Sequence, residues 1–217
     1  MELRRPKAIV FDWDNTLVDT FPTIHAALNA AQIAMGVQPW TLEEAHIKVR
    51  QSVRDVFPVM FGNRWEEARD IFYRTFEEVH LRELRELPGA GALLDHLRSS
   101  GVTLTVVSNK TAGFLRQEAD HLGWSSRFHR VIGATDAARD KPAPDPVHLS
   151  LEGAGVSAGP DVWFAGDADI DLECAHHAGC VAVLVRAQPP QPGEFAAFPP
   201  VFHVHNLAEL KALVKRG

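Results

Sequence analysis

Asp12 and Asp14 stand two residues apart, directly after the apolar run Ala8 to Phe11. Two carboxylates this close repel each other, and in a site shielded from water they persist when a cation or a shared proton offsets them. Magnesium, a hard ion that takes oxygen ligands, suits such a pair. A second acidic group occurs in Gly166-Asp167-Ala168-Asp169-Ile170-Asp171, again directly after an apolar run, Val162 to Ala165. Any one aspartate there can be a turn residue or helix N-cap, which is the ordinary expectation for Asp169. Two clusters, each following a strand-like run, make coincidence a poor account.

Two further groups suit an anion. Ser108-Asn109 follows the run Leu104 to Val107, and a hydroxyl with backbone amides ahead of a helix can cradle phosphate oxygens. Lys141 lies in Asp140-Lys141-Pro142-Ala143-Pro144-Asp145-Pro146, where three prolines restrain the backbone. A loop lysine is ordinarily solvated; held in place, it can neutralise charge on both a phosphate and an attacking carboxylate.

The elements that must bring these residues together are short apolar runs alternating with helical patterns, the signature of βαβ units and a parallel sheet. Strands are expected at Ala8 to Phe11, Leu104 to Val107, Arg130 to Ile132, Val162 to Ala165 and Val181 to Val185. Each is almost continuously apolar, as in strands covered by helices on both faces. Helices are expected at Ala92 to Ser99, Gly113 to Leu122, Pro146 to Glu152, Ile170 to Ala178, and Leu207 to Val214 with Asn206 as its N-cap. The expected fold is therefore α/β, a doubly wound parallel sheet in which ligands gather at the carboxyl ends of the strands. From about Pro22 to Leu87 the pattern is helical and charged with no convincing strand, which reads as an inserted α-helical domain, residues 22–87, in a core formed by 1–21 and 88–217. Pro88, Gly89 and Gly91 mark the return to the core. The proline-rich stretch Gln188 to Gly193 reads as a stiff surface connection.

Composition narrows the partners. With 217 residues, 46% of them hydrophobic, the chain can bury a sizeable core. Its net charge of -6 has the wrong sign for nucleic-acid binding through counterion release, while a local cluster of donors can still hold a small anion. No run of about 18 apolar residues occurs, so no membrane span is expected, and the start Glu2 to Lys7 followed by four apolar residues is not a secretion signal. Cys174 and Cys180 read as structural thiols in a reducing cytoplasm.

In order and across essentially the whole chain, the motifs around Asp12-Asp14, Ser108, Lys141 and Asp167-Asp171 resemble the four motifs of the haloacid dehalogenase superfamily, and the helical insert resembles the cap of phosphoglycolate phosphatases and sugar-phosphate relatives. The resemblance implies that Asp12 is a nucleophile forming an aspartyl-phosphate and that Asp14 is the general acid and base. It also implies Ser108, Asn109, Lys141 and the backbone amide of Trp13 as phosphate contacts. Magnesium would be held by Asp12, Asp14 through its carbonyl, Asp167 and Asp171. Asn15 stands where the family usually has glycine, and asparagine is the best substitute in left-handed backbone geometry. Ala168 stands where a serine or threonine is common, removing a supporting hydroxyl.

The expected reaction is hydrolysis of a small phosphorylated metabolite, with phosphoglycolate as the family-level substrate, by a monomer, a dimer being open. Sugar-phosphate phosphatases, phosphomutases and silent regulatory proteins share the motifs. Dehalogenases share the nucleophile but have no need of Asp14. Arg50 and Arg54, four apart on an expected helix of the insert, are candidate contacts to an anionic substrate tail, although helical arginines are ordinarily solvated. His176 with His177, and His203 with His205, lack ligands at a recognisable zinc spacing and read as packing and surface residues.

Overall fold

The computed structural model describes residues 4–48 and 53–216. In chain order the elements are β1 (Ala8–Phe11), β2 (Val18–Asp19), α1 (Phe21–Ala34), α2 (Leu42–Lys48), α3 (Val53–Phe61), α4 (Trp65–Glu83) and β3 (Arg85–Glu86). There follow α5 (Ala90–Ser99), β4 (Thr103–Thr111), α6 (Ala112–His121), β5 (Arg130–Ala134), α7 (Asp145–Leu151), β6 (Val162–Gly166), α8 (Asp169–His177), β7 (Val181–Val185), β8 (Phe202–Val204) and α9 (Leu207–Val214).

Six strands form one sheet in the order β5-β4-β1-β6-β7-β8, with every neighbouring pair parallel. β1, β6 and β7 are buried along their whole length, which is why their sequences run apolar without alternation. The register pairs Phe11 with Val106 on one side and with Ala165 on the other. The residues after Phe11, Val107 and Ala165 therefore emerge at one edge of the sheet, where successive connections run in opposite directions from β1.

Helices close both faces. Leu93, Leu94 and Leu97 of α5 and Leu115 and Ala119 of α6 are buried, spaced as one helical stripe requires. α9 begins where expected, with the Asn206 side chain accepting from the Glu209 N–H. β8 completes the sheet beyond the five expected strands. β4 is longer than its apolar run, because it continues through Ser108, Asn109 and Lys110 in an irregular register against β5. α8 is capped by Ala168 rather than Asp169, which occupies the first helical position.

The chain divides into two compact units, residues 1–18 with 86–217, and residues 19–85. At the crossings β2 and β3 pair as a two-residue ribbon, so a strand does occur near the end of the helical stretch; Arg85 and Glu86 are exposed and polar, and backbone pairing alone makes them one. The helical unit has its own core. Phe57 meets Phe72 edge-on at 5.6 Å, and His80 stacks on Phe76 at 5.5 Å. Gln32 is fully buried and satisfies the Trp40 N–H through its carbonyl oxygen. Arg50 and the side chain of Arg54 lie outside the described residues. Among the described residues no helix is long and apolar enough to cross a membrane.

One close approach ties α6 to β5. A Cβ on Gly133 would come within 2.5 Å of the Ala112 Cα, a backbone atom that cannot rotate away. Gly133→Ala is expected to destabilise the protein by about 1–3 kcal/mol, read as a lower urea midpoint at unchanged slope. A midpoint equal to wild type would show that α6 moves freely against β5.

Candidate functional site

Asp12 is the first residue beyond β1, and its N–H donates to the Ala165 carbonyl at 2.9 Å, which continues the sheet register into the site. The chain then turns sharply. Asn15 takes the left-handed conformation with φ 58°, and the N–H groups of Leu17 and Val18 both reach the Trp13 carbonyl. This is the backbone geometry at which asparagine replaces glycine at least cost.

Lys141 lies at the centre. Its side chain is buried, and its ammonium sits 2.7 Å from Asp12 Oδ1 and 2.6 Å from Asp171 Oδ1, with the Phe164 ring 5.8 Å away. Burial alone would lower its affinity for a proton, but the two carboxylates outweigh this and push the ammonium well above its ordinary range, so it stays charged. The Lys141–Pro142 peptide bond is cis. Asn109 fixes the lysine's backbone at two points: its carboxamide N–H donates to the Lys141 carbonyl at 3.0 Å, and its oxygen accepts from the Lys141 N–H at 3.0 Å. The Asn109 side chain is thus engaged with Lys141, and its backbone N–H is the group it can offer to an anion.

Asp171 comes in close because Gly166 has no side chain: a Cβ there would overlap the carboxyl group of Asp171. The other Asp171 oxygen accepts from the Ala168 N–H at 3.1 Å, half of a capping box whose serine or threonine half is missing. Asp167 receives the Thr16 hydroxyl at the long limit of 3.5 Å.

Asp12, Asp167 and Asp171 each offer a carboxylate oxygen, and these lie within 4.8 Å of one another. Three carboxylates face one ammonium. Desolvation drives Asp12 from 3.8 up to about 7 despite the adjacent lysine, and drives Asp167 from 3.8 up to about 8, with Asp12 and Asp171 adding to it. The cluster is short of positive charge, and its donors are hard oxygens, which fits a divalent cation of the magnesium type. Asp14 stands apart from this trio: its carboxylate is 2.6 Å from the ammonium of Lys110.

Ser108 is buried, and its hydroxyl accepts from the Lys110 N–H at 3.1 Å. The Trp13 indole turns away from this edge into the core, donating to Glu118 at 2.7 Å and meeting Trp124 edge-on at 5.8 Å, so only its backbone can face a ligand. Lys110 and Glu118 were not among the expected site residues. Glu118 carried a signal: it lies three residues after Leu115 on the apolar stripe of α6, where an acid needs a partner. The four histidines are engaged with Pro199, Pro142, the Arg186 carbonyl and Glu209. Cys174 and Cys180 are free and buried, and burial pushes their thiols up to about 12 and about 11, so both are unreactive at neutral pH.

A sequence profile of haloacid dehalogenase-like hydrolases matches residues 9–185. A phosphoglycolate phosphatase of Cereibacter sphaeroides is 30% identical over 183 residues, 79% of this chain and 81% of that protein. One of Xanthomonas campestris pv. campestris is 28% identical over 220 residues, 91% and 99% of the two chains. Among solved structures, a haloacid dehalogenase superfamily hydrolase of Ehrlichia chaffeensis superposes with a TM-score of 0.69 at 25% identity, covering 99% of this chain and 98% of that one. A haloacid dehalogenase-like hydrolase of Streptococcus pneumoniae gives 0.82 at 22% identity, covering 96% and 98%. The chain belongs to the haloacid dehalogenase-like hydrolases, and it is a phosphatase of that family.

Proposed function

We propose that this protein hydrolyses a small phosphate monoester, with magnesium, by transferring the phosphoryl group to Asp12. The observation that carries this reading is the Lys141 ammonium shared between Asp12 and Asp171, with Asp167 beside them. Phosphoglycolate is the substrate favoured by the names of the similar proteins, and the cytoplasm is the proposed setting.

An oxygen of Asp12 attacks phosphorus in line, forming a new O–P bond as the bond to the leaving oxygen breaks. Asp14 gives its carboxyl proton to that oxygen. It then takes a proton from the water that attacks the aspartyl-phosphate, so that the Asp12–phosphorus bond breaks and inorganic phosphate departs with both aspartates restored. The Ser108 hydroxyl and the N–H groups of Trp13 and Asn109 hold the non-bridging oxygens, and Lys141 offsets the repulsion between Asp12 and the incoming phosphate. Bound magnesium, held by Asp12, Asp167 and the Asp14 carbonyl with Asp171 alongside, would add charge stabilisation at the phosphoryl oxygens. The helical unit, residues 19–85, acts in this reading as the cap that selects the substrate, with Arg50 and Arg54 as its anion contacts. The working form is a monomer.

Asp12→Ala is expected to reduce magnesium-dependent release of phosphate from p-nitrophenyl phosphate and phosphoglycolate to background, and Asp14→Asn to slow release from phosphoglycolate by about 10²–10⁴. Turnover by Asp12→Ala equal to wild type would end the proposal.

The raised carboxyls set a pH dependence. Between 3.8 and about 7 to 8, native Asp12 and Asp167 keep protons that the unfolded chain has released, so the metal-free protein loses stability as pH rises through that window. Bound magnesium would offset the same carboxylate charge that those protons remove. Its stabilising shift in melting temperature is therefore expected to be larger at about pH 8.5 than at about pH 6, and an equal shift at both would remove the cluster as its site.

A further inference from the structure

The reaction above makes no use of Lys110, yet its side chain is only 7% exposed and its ammonium lies 2.6 Å from Asp14 and 2.6 Å from Glu118. Glu118 is deeper still, at 1% exposure. The same Glu118 oxygen that meets Lys110 also accepts the Trp13 indole N–H. Trp13 and Asp14 are chain neighbours, so these contacts close a ring: one buried oxygen holds the indole of the first residue directly and the carboxylate of the second through a lysine.

Fold stability does not call for such an arrangement. Burying an ammonium and a carboxylate costs several kcal/mol per ion before their attraction is counted, and apolar residues of similar size often fill such a space at lower cost. The Asp14 side chain, in contrast, is 28% exposed at the start of a turn. Lys110 meets Asp14 through Oδ1 and leaves Oδ2 for a proton in transit.

We propose that Lys110, anchored by Glu118, is a positioning residue that holds the Asp14 carboxylate against the leaving oxygen, and that it thereby governs which leaving groups the enzyme can expel. With Asp14 as the general acid, as read above, the bond from phosphorus to the leaving oxygen breaks while the Asp12 bond forms, and the Asp14 proton passes to the departing oxygen. p-Nitrophenolate is stable as an anion and departs without that proton. Phenolate and alkoxides need it. Displacing Asp14 is therefore felt in proportion to the basicity of the leaving group, whereas a loss of general structural integrity lowers every rate by one factor.

The test compares kcat/KM, which reports the first transfer, for substituted phenyl phosphates from p-nitrophenyl to phenyl, with magnesium present. Lys110→Met is expected to increase the preference for p-nitrophenyl over phenyl phosphate by about tenfold to a hundredfold, the scale set by small misplacements of a reacting group. Asp14→Asn serves as the reference for full loss of the acid. Because Lys110→Met removes the cation beside the buried Glu118 carboxylate, the double variant Lys110→Met/Glu118→Gln removes both charges while keeping an acceptor for the indole. It is expected to melt cooperatively and show the same increase. If Asp14→Asn raises the preference and both lysine variants lose rate uniformly, the role of Lys110 is overturned and that of Asp14 stands. If Asp14→Asn leaves the preference unchanged, the assignment of Asp14 fails, and this one with it.

Discussion

The buried ammonium of Lys141, placed between Asp12 and Asp171, is the interaction on which the site depends. An ion triad out of water survives only with close geometry and satisfied hydrogen bonds, because losing one partner leaves a stranded charge worth about 3–5 kcal/mol. The neighbouring structure meets that condition from several directions. Asn109 ties down the lysine's backbone, Gly166 makes room for Asp171, and the Ala168 N–H occupies the second Asp171 oxygen. Asn109 comes from the end of β4, Gly166 and Ala168 from that of β6 and Asp12 from that of β1, so the parallel register of these strands is what lets one lysine reach two acids 129 and 30 residues away in sequence.

A second lysine repeats the device around Asp14. Lys110 bridges Asp14 and Glu118 as Lys141 bridges Asp12 and Asp171, and Asp12 and Asp14 flank Trp13 in the chain. Two carboxylates two residues apart thus have different surroundings: Asp12 is desolvated within the acidic trio, and Asp14 is part-exposed with a lysine of its own. Separating environments is how one site gives two chemically identical groups different tasks. Trp13 serves the separation by directing its indole into the core between Glu118 and Trp124, which fixes the backbone from which both aspartates project.

The positions of Asp12 and Asp167 were legible because β1 and β6 are apolar at every residue, a pattern that demands cover on both faces and hence parallel strands whose carboxyl ends share an edge. Asn15 was read through the glycine that the resembled family has at its position, since few other residue types tolerate the left-handed turn it makes. The length of β4 could not be read. Ser108, Asn109 and Lys110 are polar and look like a loop, and they are strand only because β5 pairs with the backbone beyond the apolar run. Pairing likewise made β3 out of Arg85 and Glu86, two exposed polar residues with no strand pattern of their own.

By itself, the sequence determined the α/β order and the strand ends at which acids gather, because periodicity and local turn chemistry are written in neighbouring residues, while the roles of the motif residues were implied by the family resemblance. Tertiary structure alone decided what each side chain does with its charge. Asn109, expected to face phosphate, uses its carboxamide on Lys141, 32 residues away. Lys110, which in sequence is one more polar residue, is buried against an acid 96 residues distant. Such partnerships depend on how desolvation and Coulomb attraction balance in three dimensions, and that balance has no local signature in the chain.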